Sequence, residues 1–356
     1  MVADDSFLFS AMSNSRVLII YTGGTIGMNR NPLTGALEPF DFEHLISHVP
    51  EIRQFDTEIS SCCFNPPIDS SDVTPDHWIR LVEIIAAHYD EFDGFVVLHG
   101  TDTMAYTASA LSYLLENLGK PVICTGSQLP VGQLRTDGRE NLVTSVEIAA
   151  AKDAKGRALV PEVGIYFNGR LLRGNRTTKQ SAEEFNAFES FNYPHLADAG
   201  VNIVYHRDRM LRPDLERGLQ PHFKMDPRVV IFSLFPGVNE TLIRHILSNP
   251  QLKAIVMRTF GSGNAPRSPW LQEVLLEAAD SGKVVVNISQ CLQGQVEMGR
   301  YDTGFQLQEA RVICGYDSTV ESAVTKLMYL MGRYDDPDMV RKGMTLNLRG
   351  EITLCE

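Results

Sequence analysis

Short apolar runs recur along this chain, each ending in small polar residues and followed by a helix-period pattern. The first is Val17-Leu18-Ile19-Ile20. A β-branched run bounded by a turn signal predicts a strand buried on both faces of a parallel sheet. It gives way to Thr22-Gly23-Gly24-Thr25-Ile26-Gly27, a loop with two threonine hydroxyls and three glycines. Glycine permits positive φ and lets backbone N–H groups come close to a ligand. In open α/β sheets, ligands bind at strand carboxyl ends. Residues 29–40 are rich in Asn, Pro, Gly and Thr, and read as a loop beside that turn, either a lid or plain surface. Thr74 and Pro75 match an N-cap and N1 pair. Trp78, Leu81, Val82 and Ile85 follow at i, i+3, i+4 and i+7, which predicts an amphipathic helix.

The rhythm repeats. Phe95-Val96-Val97-Leu98 ends in His99-Gly100-Thr101-Asp102-Thr103. The next helix places Leu111, Leu114, Leu115 and Leu118 on one face and is stopped by Gly119 and Pro121. Val122-Ile123-Cys124 runs into Thr125-Gly126-Ser127-Gln128. Such βα units predict a doubly wound, mainly parallel sheet. Gly164-Ile165-Tyr166-Phe167 is a further strand, leading through Asn168-Gly169-Arg170 to Arg173-Gly174-Asn175-Arg176-Thr177-Thr178-Lys179. Residues 206–228 are dense in Arg, Pro, Asp and His with little periodicity, which suits an interdomain linker. Beyond it, strands are expected at 229–234, 254–257 and 284–286, and helices at 242–247, from Pro269 to Gly282, near 319–331 and at 337–342. The expected architecture is α/β: a larger domain at 16–205 and a smaller one at 229–356, with a frayed tail over residues 1–15.

Composition narrows the function classes. A net charge of −12 argues against a nucleic-acid surface, which needs clustered Lys and Arg. Six cysteines, at positions 62, 63, 124, 291, 314 and 355, form no CxxC pair, a pattern of reduced cytosolic thiols. No cysteine or histidine pair falls at zinc-ligand spacing. Residues 1–15 lack the basic and apolar regions of a signal peptide. No apolar run approaches the roughly 20 residues that span a bilayer. The expectation is a soluble cytoplasmic protein.

The chemistry lies in the loops. The first resembles the dinucleotide fingerprint GxGxxG, but Thr22 stands in place of its first glycine, with Asp41 or Glu43 near the spacing of the acidic partner. A glycine turn that only joins strand to helix fits as well. The second loop adds hydroxyls beside a carboxylate, and Lys179 is available from a third. A threonine hydroxyl is a poor nucleophile until a nearby group takes its proton. A lysine oriented by an aspartate is one such group. Asp102 is alternatively a partner for a substrate ammonium. A single histidine at a strand end, His99, is more often structural than basic. No GxSxG elbow supports a Ser-His-Asp triad.

The segments YTGGTIGM, DSSD, LHGTDTMAYTASAL, TGSQLP, RGNRTTK, GSGNAP and NLRGE, in that order over most of residues 16–356, resemble the type I bacterial cytoplasmic L-asparaginases. YTGGT together with HGTDT is highly specific for the asparaginase/glutaminase family. The resemblance implies Thr25 as nucleophile, with Thr101, Asp102 and Lys179 as the second catalytic group. It also implies that Ser70, Ser71 and Asp102 hold the α-carboxylate and α-ammonium of L-asparagine, and that Gly24 and the Thr101 loop supply backbone contacts. An acyl-enzyme would release ammonia and then aspartate, with no cofactor or metal. In some type I members a second asparagine binds between subunits, and Arg258, Asn264 and Cys291 match positions of that allosteric pocket. The family also implies a homotetramer built as a dimer of dimers.

One departure concerns the loop after TGGTIG, where many members carry a tyrosine against the nucleophile. Residues 29–40 contain none, so either another tyrosine takes the role, with Tyr301 and Tyr316 as candidates, or the contact is dispensable here. Three other readings stay open. The first is a glutamine-hydrolysing amidotransferase subunit, which normally has an added domain where this chain has about fifteen residues before its first strand. The second is a non-catalytic amino-acid sensor, which would need no paired hydroxyls and lysine. The third is a nucleotide-dependent oxidoreductase.

Overall fold

Alternate side chains of the Ser15–Gly23 strand enter two different apolar clusters. Leu18 and Ile20 pack with Trp78, Leu81, Phe95, Val97 and Leu111. Val17, Ile19 and Tyr21 pack with Val96, Leu98, Ile123 and Leu142. A strand covered on both faces must be apolar throughout, which is why residues 17–20 are all aliphatic. The computed structural model describes residues 15–30, 37–39, 45, 47–299 and 302–354. Of the tail expected at residues 1–15, only Ser15 is among them. It is buried at the start of the first strand, with Oγ donating to Ala150 O.

Eight strands form the larger sheet, in the spatial order Ile203–Tyr205, Ala197–Ala199, Arg170–Arg173, Val163–Phe167, Val122–Thr125, Gly94–Leu98, Ser15–Gly23, Thr57–Ile68. From Val163–Phe167 to Thr57–Ile68 every pairing is parallel. At the other edge the pairings are antiparallel. The chain leaves Ser15–Gly23 for the edge strand Thr57–Ile68, then returns to Gly94–Leu98 on the opposite side. Winding therefore reverses between Ser15–Gly23 and Gly94–Leu98, and their carboxyl ends flank the crevice that such a switch leaves open.

The smaller sheet runs Val229–Ser233, Ala254–Thr259, Val284–Ser289, Ile313–Cys314, all parallel. Its helix Val320–Arg333 packs on Met104–Leu114 of the larger unit and shares one core with it. There Tyr113 and Ser322 exchange a 2.6 Å hydrogen bond, and the Tyr113 and Tyr329 rings stack at 6.0 Å. Lys326 and Glu351 form a fully buried ion pair of 2.5 Å. Glu351 also accepts the N–H groups of Leu348 and Arg349. That leaves neither charge uncompensated, the condition on which a buried pair persists. No helix among the described residues is long and apolar enough to cross a membrane.

Several details differ from the sequence expectation. The ends of the 29–40 stretch are not plain loop: Met28–Arg30 pairs antiparallel with Leu37–Pro39. Residues 31–36 and 40 lie outside the described set. The helix expected to reach Gly119 stops at Leu114, because Leu115–Glu116 extends to pair with Gln220–Pro221 and Asn117 takes a left-handed φ of 60°. Leucine periodicity cannot register a distant strand that captures the helix's last residues. The edge strand Thr57–Ile68, the antiparallel edge, the helix Asp302–Glu309 and the strand Ile313–Cys314 were also not legible. Thr57–Ile68 is mostly solvent-facing and carries Ser, Cys, Asn and Pro, so its apolar pattern is weak.

Residues 206–228 carry the 3-10 turn Arg207–Arg209 and the Gln220–Pro221 strand, and they fold back on the larger unit. Glu116 is the focus: Arg217, Arg333, Arg349 and His222 all reach its carboxylate, at 2.8 to 3.3 Å. Burial pushes its pKa up, but hydrogen bonds from His222 and Arg333 and the nearby Arg349 charge outweigh burial and hold it at about 2. A depressed carboxylate contributes stability above its ordinary pKa, here 4.5, and that contribution fades as pH falls through the folded value. Glu116→Gln should therefore lower the thermal midpoint by a constant amount above pH 4.5, and the gap to wild type should close between about 4.5 and 2. Melting curves across pH 2–7 check this.

Candidate functional site

Three turns meet at the switch point. Gly24 has a φ of +90° and lies so close to the second loop that a Cβ on it would sit 2.4 Å from Gly100 N. A Cβ on Gly100 would in turn sit 2.5 Å from Ser70 Oγ. Backbone against backbone is the packing that glycine alone allows. The 3-10 turn Ser70–Asp72 is capped by Asp69, whose Oδ1 accepts both the N–H and the Oγ–H of Ser71 at 2.9 Å. Ser70 and Thr101 are buried, Thr25 is half-buried, and Ser71 and Asp102 are exposed.

Lys179 arrives from a fourth segment, the short strand Thr178–Lys179. Its Nζ donates to Thr101 Oγ1 at 2.8 Å and to Asp102 Oδ1 at 2.7 Å. Arg176, just before it, is held by Asp317 at 2.7 Å and by Gly350 O and Thr353 Oγ1. Thr178 Oγ1 donates to Glu321 Oε1 at 2.6 Å. Burial pushes the Glu321 carboxyl up, while the Thr178 hydrogen bond and the Arg258 charge act against it. The smaller unit thus aims the lysine of the larger one.

Hydrogen bonding sorts the hydroxyls. Thr22 donates to Leu98 O, Thr103 to Ser70 O and Ser71 to Asp69. Thr101 accepts from Lys179 and points its own proton at Gln128 Oε1, 3.4 Å away. Thr25, at the start of the turn Thr25–Gly27, has no hydrogen-bond partner among the described residues. His99 is structural here. Trp78 Nε1 donates to Thr107 Oγ1, which leaves that hydroxyl to donate to His99 Nε2 and puts the imidazole proton on Nδ1, facing Gly100 O at 2.7 Å. Burial lowers the His99 pKa to about 4, so the ring stays neutral at pH 7.

Arg258 is the penultimate residue of the Ala254–Thr259 strand, and Cys291 follows the carboxyl end of its neighbour Val284–Ser289. Asn264 lies in the turn between, with N and O both paired to Phe260. Arg258 Nε is buried without a hydrogen-bond partner. Tyr316 sits in the smaller unit, its N–H on Cys314 Sγ. Tyr301 lies outside the described residues. Gln128, Thr103 and Glu321 belong to the surroundings of the site although sequence reasoning did not single them out. The first two sit in strand-end loops and were within reach, whereas nothing local marks a glutamate in a helix turn as buried over Thr178. No cluster of His, Cys, Asp and Glu suited to a metal occurs among the described residues.

Fold and site together define a doubly wound α/β protein that gathers hydroxyls and a lysine–aspartate pair at its switch point, with a smaller parallel-sheet domain beside it. Residues 16–211 match the family model described as "Asparaginase, N-terminal", and residues 228–344 the "Glutaminase/Asparaginase C-terminal domain". The chain belongs to the asparaginase family. It is 45% identical to L-asparaginase 1 of Escherichia coli (strain K12) over 350 residues, 96% of this chain and 99% of that protein. The crystal structure of L-asparaginase I from Vibrio cholerae superposes with a TM-score of 0.87 at 41% identity, over 96% of this chain and 100% of that one. The L-asparaginase of Thermococcus kodakarensis is 34% identical, over 95% of this chain and 99% of that protein.

The Gly24–Gly100 contact gives a direct test. In Gly24→Ala the new Cβ meets the Gly100 backbone at 2.4 Å, in a φ region that L-residues rarely adopt. The strain expected is about 1–3 kcal/mol. The thermal midpoint should fall by several degrees, while Gly156→Ala, at an exposed positive φ with open space around it, should cost less. Differential scanning fluorimetry on the two variants reads the difference.

Proposed function

We propose that this protein hydrolyses L-asparagine to L-aspartate and ammonia with Thr25 as nucleophile. The observation that carries the assignment is the hydroxyl census. In the three converging turns Thr22, Ser71, Thr101 and Thr103 are committed to partners and Thr25 and Ser70 are not. Of these two, Ser70 is buried with its Oγ against Gly100, whereas Thr25 is half-buried beside the switch point. The family supports the substrate, since the relatives with the same two domains include proteins named L-asparaginase.

In this mechanism Thr25 Oγ attacks the side-chain amide carbon and passes its proton to the Thr101–Lys179 pair. The Thr101 hydroxyl, polarised by Lys179, relays a proton to the amide nitrogen as the C–N bond breaks and ammonia leaves. Water then attacks the acyl carbon, releasing aspartate and returning the proton to Thr25. Backbone N–H groups of the Gly24 and Thr101 turns stabilise the oxyanion, a contribution of roughly 3 kcal/mol per donor. Ser70, Ser71 and Asp102 hold the α-carboxylate and α-ammonium. That discriminates against simple amides, because a buried charged group left unmatched is costly.

Three finer features belong to the same reading. The protein works in the cytoplasm, as a homo-oligomer arranged as a dimer of dimers, and a second asparagine at Arg258, Asn264 and Cys291 raises turnover. What supports the link is that the Arg258 charge acts on the Glu321 carboxyl, which accepts the Thr178 hydroxyl beside Lys179.

Ammonia release from purified protein, with asparagine and glutamine compared over a wide concentration range, tests the reading. Thr25→Ala should lose at least about 1,000-fold in kcat with an unchanged melting point, and near wild-type turnover in that variant would remove Thr25 as nucleophile. Release from glutamine instead of asparagine would move the assignment to an amidotransferase component. The wild-type rate should rise sigmoidally with asparagine, and Arg258→Ala should make it hyperbolic. A hyperbolic wild-type curve unaffected by that change would remove the second site.

A further inference from the structure

The loop after the Val122–Thr125 strand carries chemistry that the mechanism above does not use. There the chain turns through Gly126 and Ser127 to Gln128, whose carboxamide bridges two other loops of the site. Its backbone is fixed by Asp137, the N-cap of the helix Gly138–Ala150. Asp137 accepts the Gln128 N–H at 3.1 Å on Oδ1 and 3.0 Å on Oδ2, and the Leu129 N–H at 3.1 Å. The side chain is fixed as well. Nε2 donates to Glu184 O at 3.0 Å, on the stretch that follows Lys179, so Oε1 is the end turned to Thr101 Oγ1, 3.4 Å away.

That acceptor meets a need of Thr101. A hydroxyl has one proton and two lone pairs, whereas a lysine ammonium has donors only. Lys179 Nζ donates to Thr101 Oγ1 at 2.8 Å and to Asp102 Oδ1 at 2.7 Å. One Thr101 lone pair is thereby filled, and the Thr101 proton cannot turn back to the lysine that fills it. Gln128 Oε1 is its acceptor among the described residues. The second lone pair stays open. Without Gln128 the proton would swing into the crevice, and Thr101 would face the nucleophile as a donor instead of an acceptor. At 3.4 Å the bond exceeds the roughly 2.5–3.0 Å usual for O–H···O, so it directs the proton without binding it tightly.

We propose that Gln128 is a positioning residue for the amide hydrolysis: it holds the Thr101 proton aside, so that Thr101 Oγ1 offers a lone pair to Thr25. As the bond from Thr25 Oγ to the amide carbon forms, the Thr25 proton moves to Thr101 Oγ1. The proton held on Gln128 then goes to the departing nitrogen. The C–N bond breaks, ammonia leaves, and Thr101 ends with one proton, as it began. In this role Gln128 touches neither the substrate nor the reacting atoms and acts through Thr101 alone. The inference rests on the reading of Thr25 and Thr101 given above.

Ammonia release from asparagine by the wild type, and its loss in Thr25→Ala, come first; their failure removes that reading and is thereby distinguished from a failure at Gln128. Steady-state kinetics on Gln128→Met then tests the proposal. This variant keeps the length and removes the acceptor. Its kcat should fall roughly fivefold, the contribution of one neutral hydrogen bond, with KM for asparagine within about twofold of wild type. Should Gln128→Met fail to fold, Gln128→Ala makes the same test. Gln128→Glu loses the bond to Glu184 O but keeps an oxygen toward Thr101, and should retain kcat within about twofold. Thr101→Val removes the hydroxyl through which Gln128 acts, so adding Gln128→Met to it should lower the residual rate no further. Wild-type kcat in Gln128→Met, or a raised KM at unchanged kcat, would overturn the proposal. So would a loss in Gln128→Glu as large as in Gln128→Met, or additive losses in the double variant, since both mark a purely structural contact.

Discussion

The contact between the Gly24 and Gly100 backbones is the constraint on which the site depends. Two strand ends can present their loops to one substrate only if the loops lie within a few ångströms, and any Cβ at this junction would force them apart. The switch in winding direction brings the strands side by side, and the paired glycines remove the last steric barrier. Ser70 completes the junction from the edge strand, with its Oγ against Gly100.

Lys179 depends on a different support. It stands on a two-residue strand whose neighbours are gripped by the smaller unit and the C-terminal segment: Arg176 by Asp317 and Gly350, Thr178 by Glu321, Asn175 by Arg349. A short strand has little stability of its own. Its geometry is set by these buried hydrogen bonds, and the site consequently belongs to both units although its catalytic candidates all come from the larger one.

Much of this was legible in the sequence. Buried parallel strands leave continuous aliphatic runs, and glycine-rich loops at their carboxyl ends leave TGGT and HGT, because both patterns are imposed locally by sheet burial and backbone φ. The βα rhythm gave the doubly wound class, and the motif order gave the family. The solvent-facing edge strand Thr57–Ile68, the hairpin arms at Met28–Arg30 and Leu37–Pro39, and the early end of the Met104–Leu114 helix left no such trace. Their conformation is decided by pairing with distant segments.

The sequence by itself determined which residue types are available and where strands end: Thr25, Thr101 and Asp102 lie at strand-end loops with glycines beside them. Only the tertiary structure decided which hydroxyls are committed and which are free. It placed Thr22 on Leu98 O, neutralised His99 by burial and bonded Lys179 to both Thr101 and Asp102. The reason is physical: local pattern encodes backbone conformation and burial, whereas hydrogen-bond partnership and charge environment depend on groups dozens of residues apart in the chain.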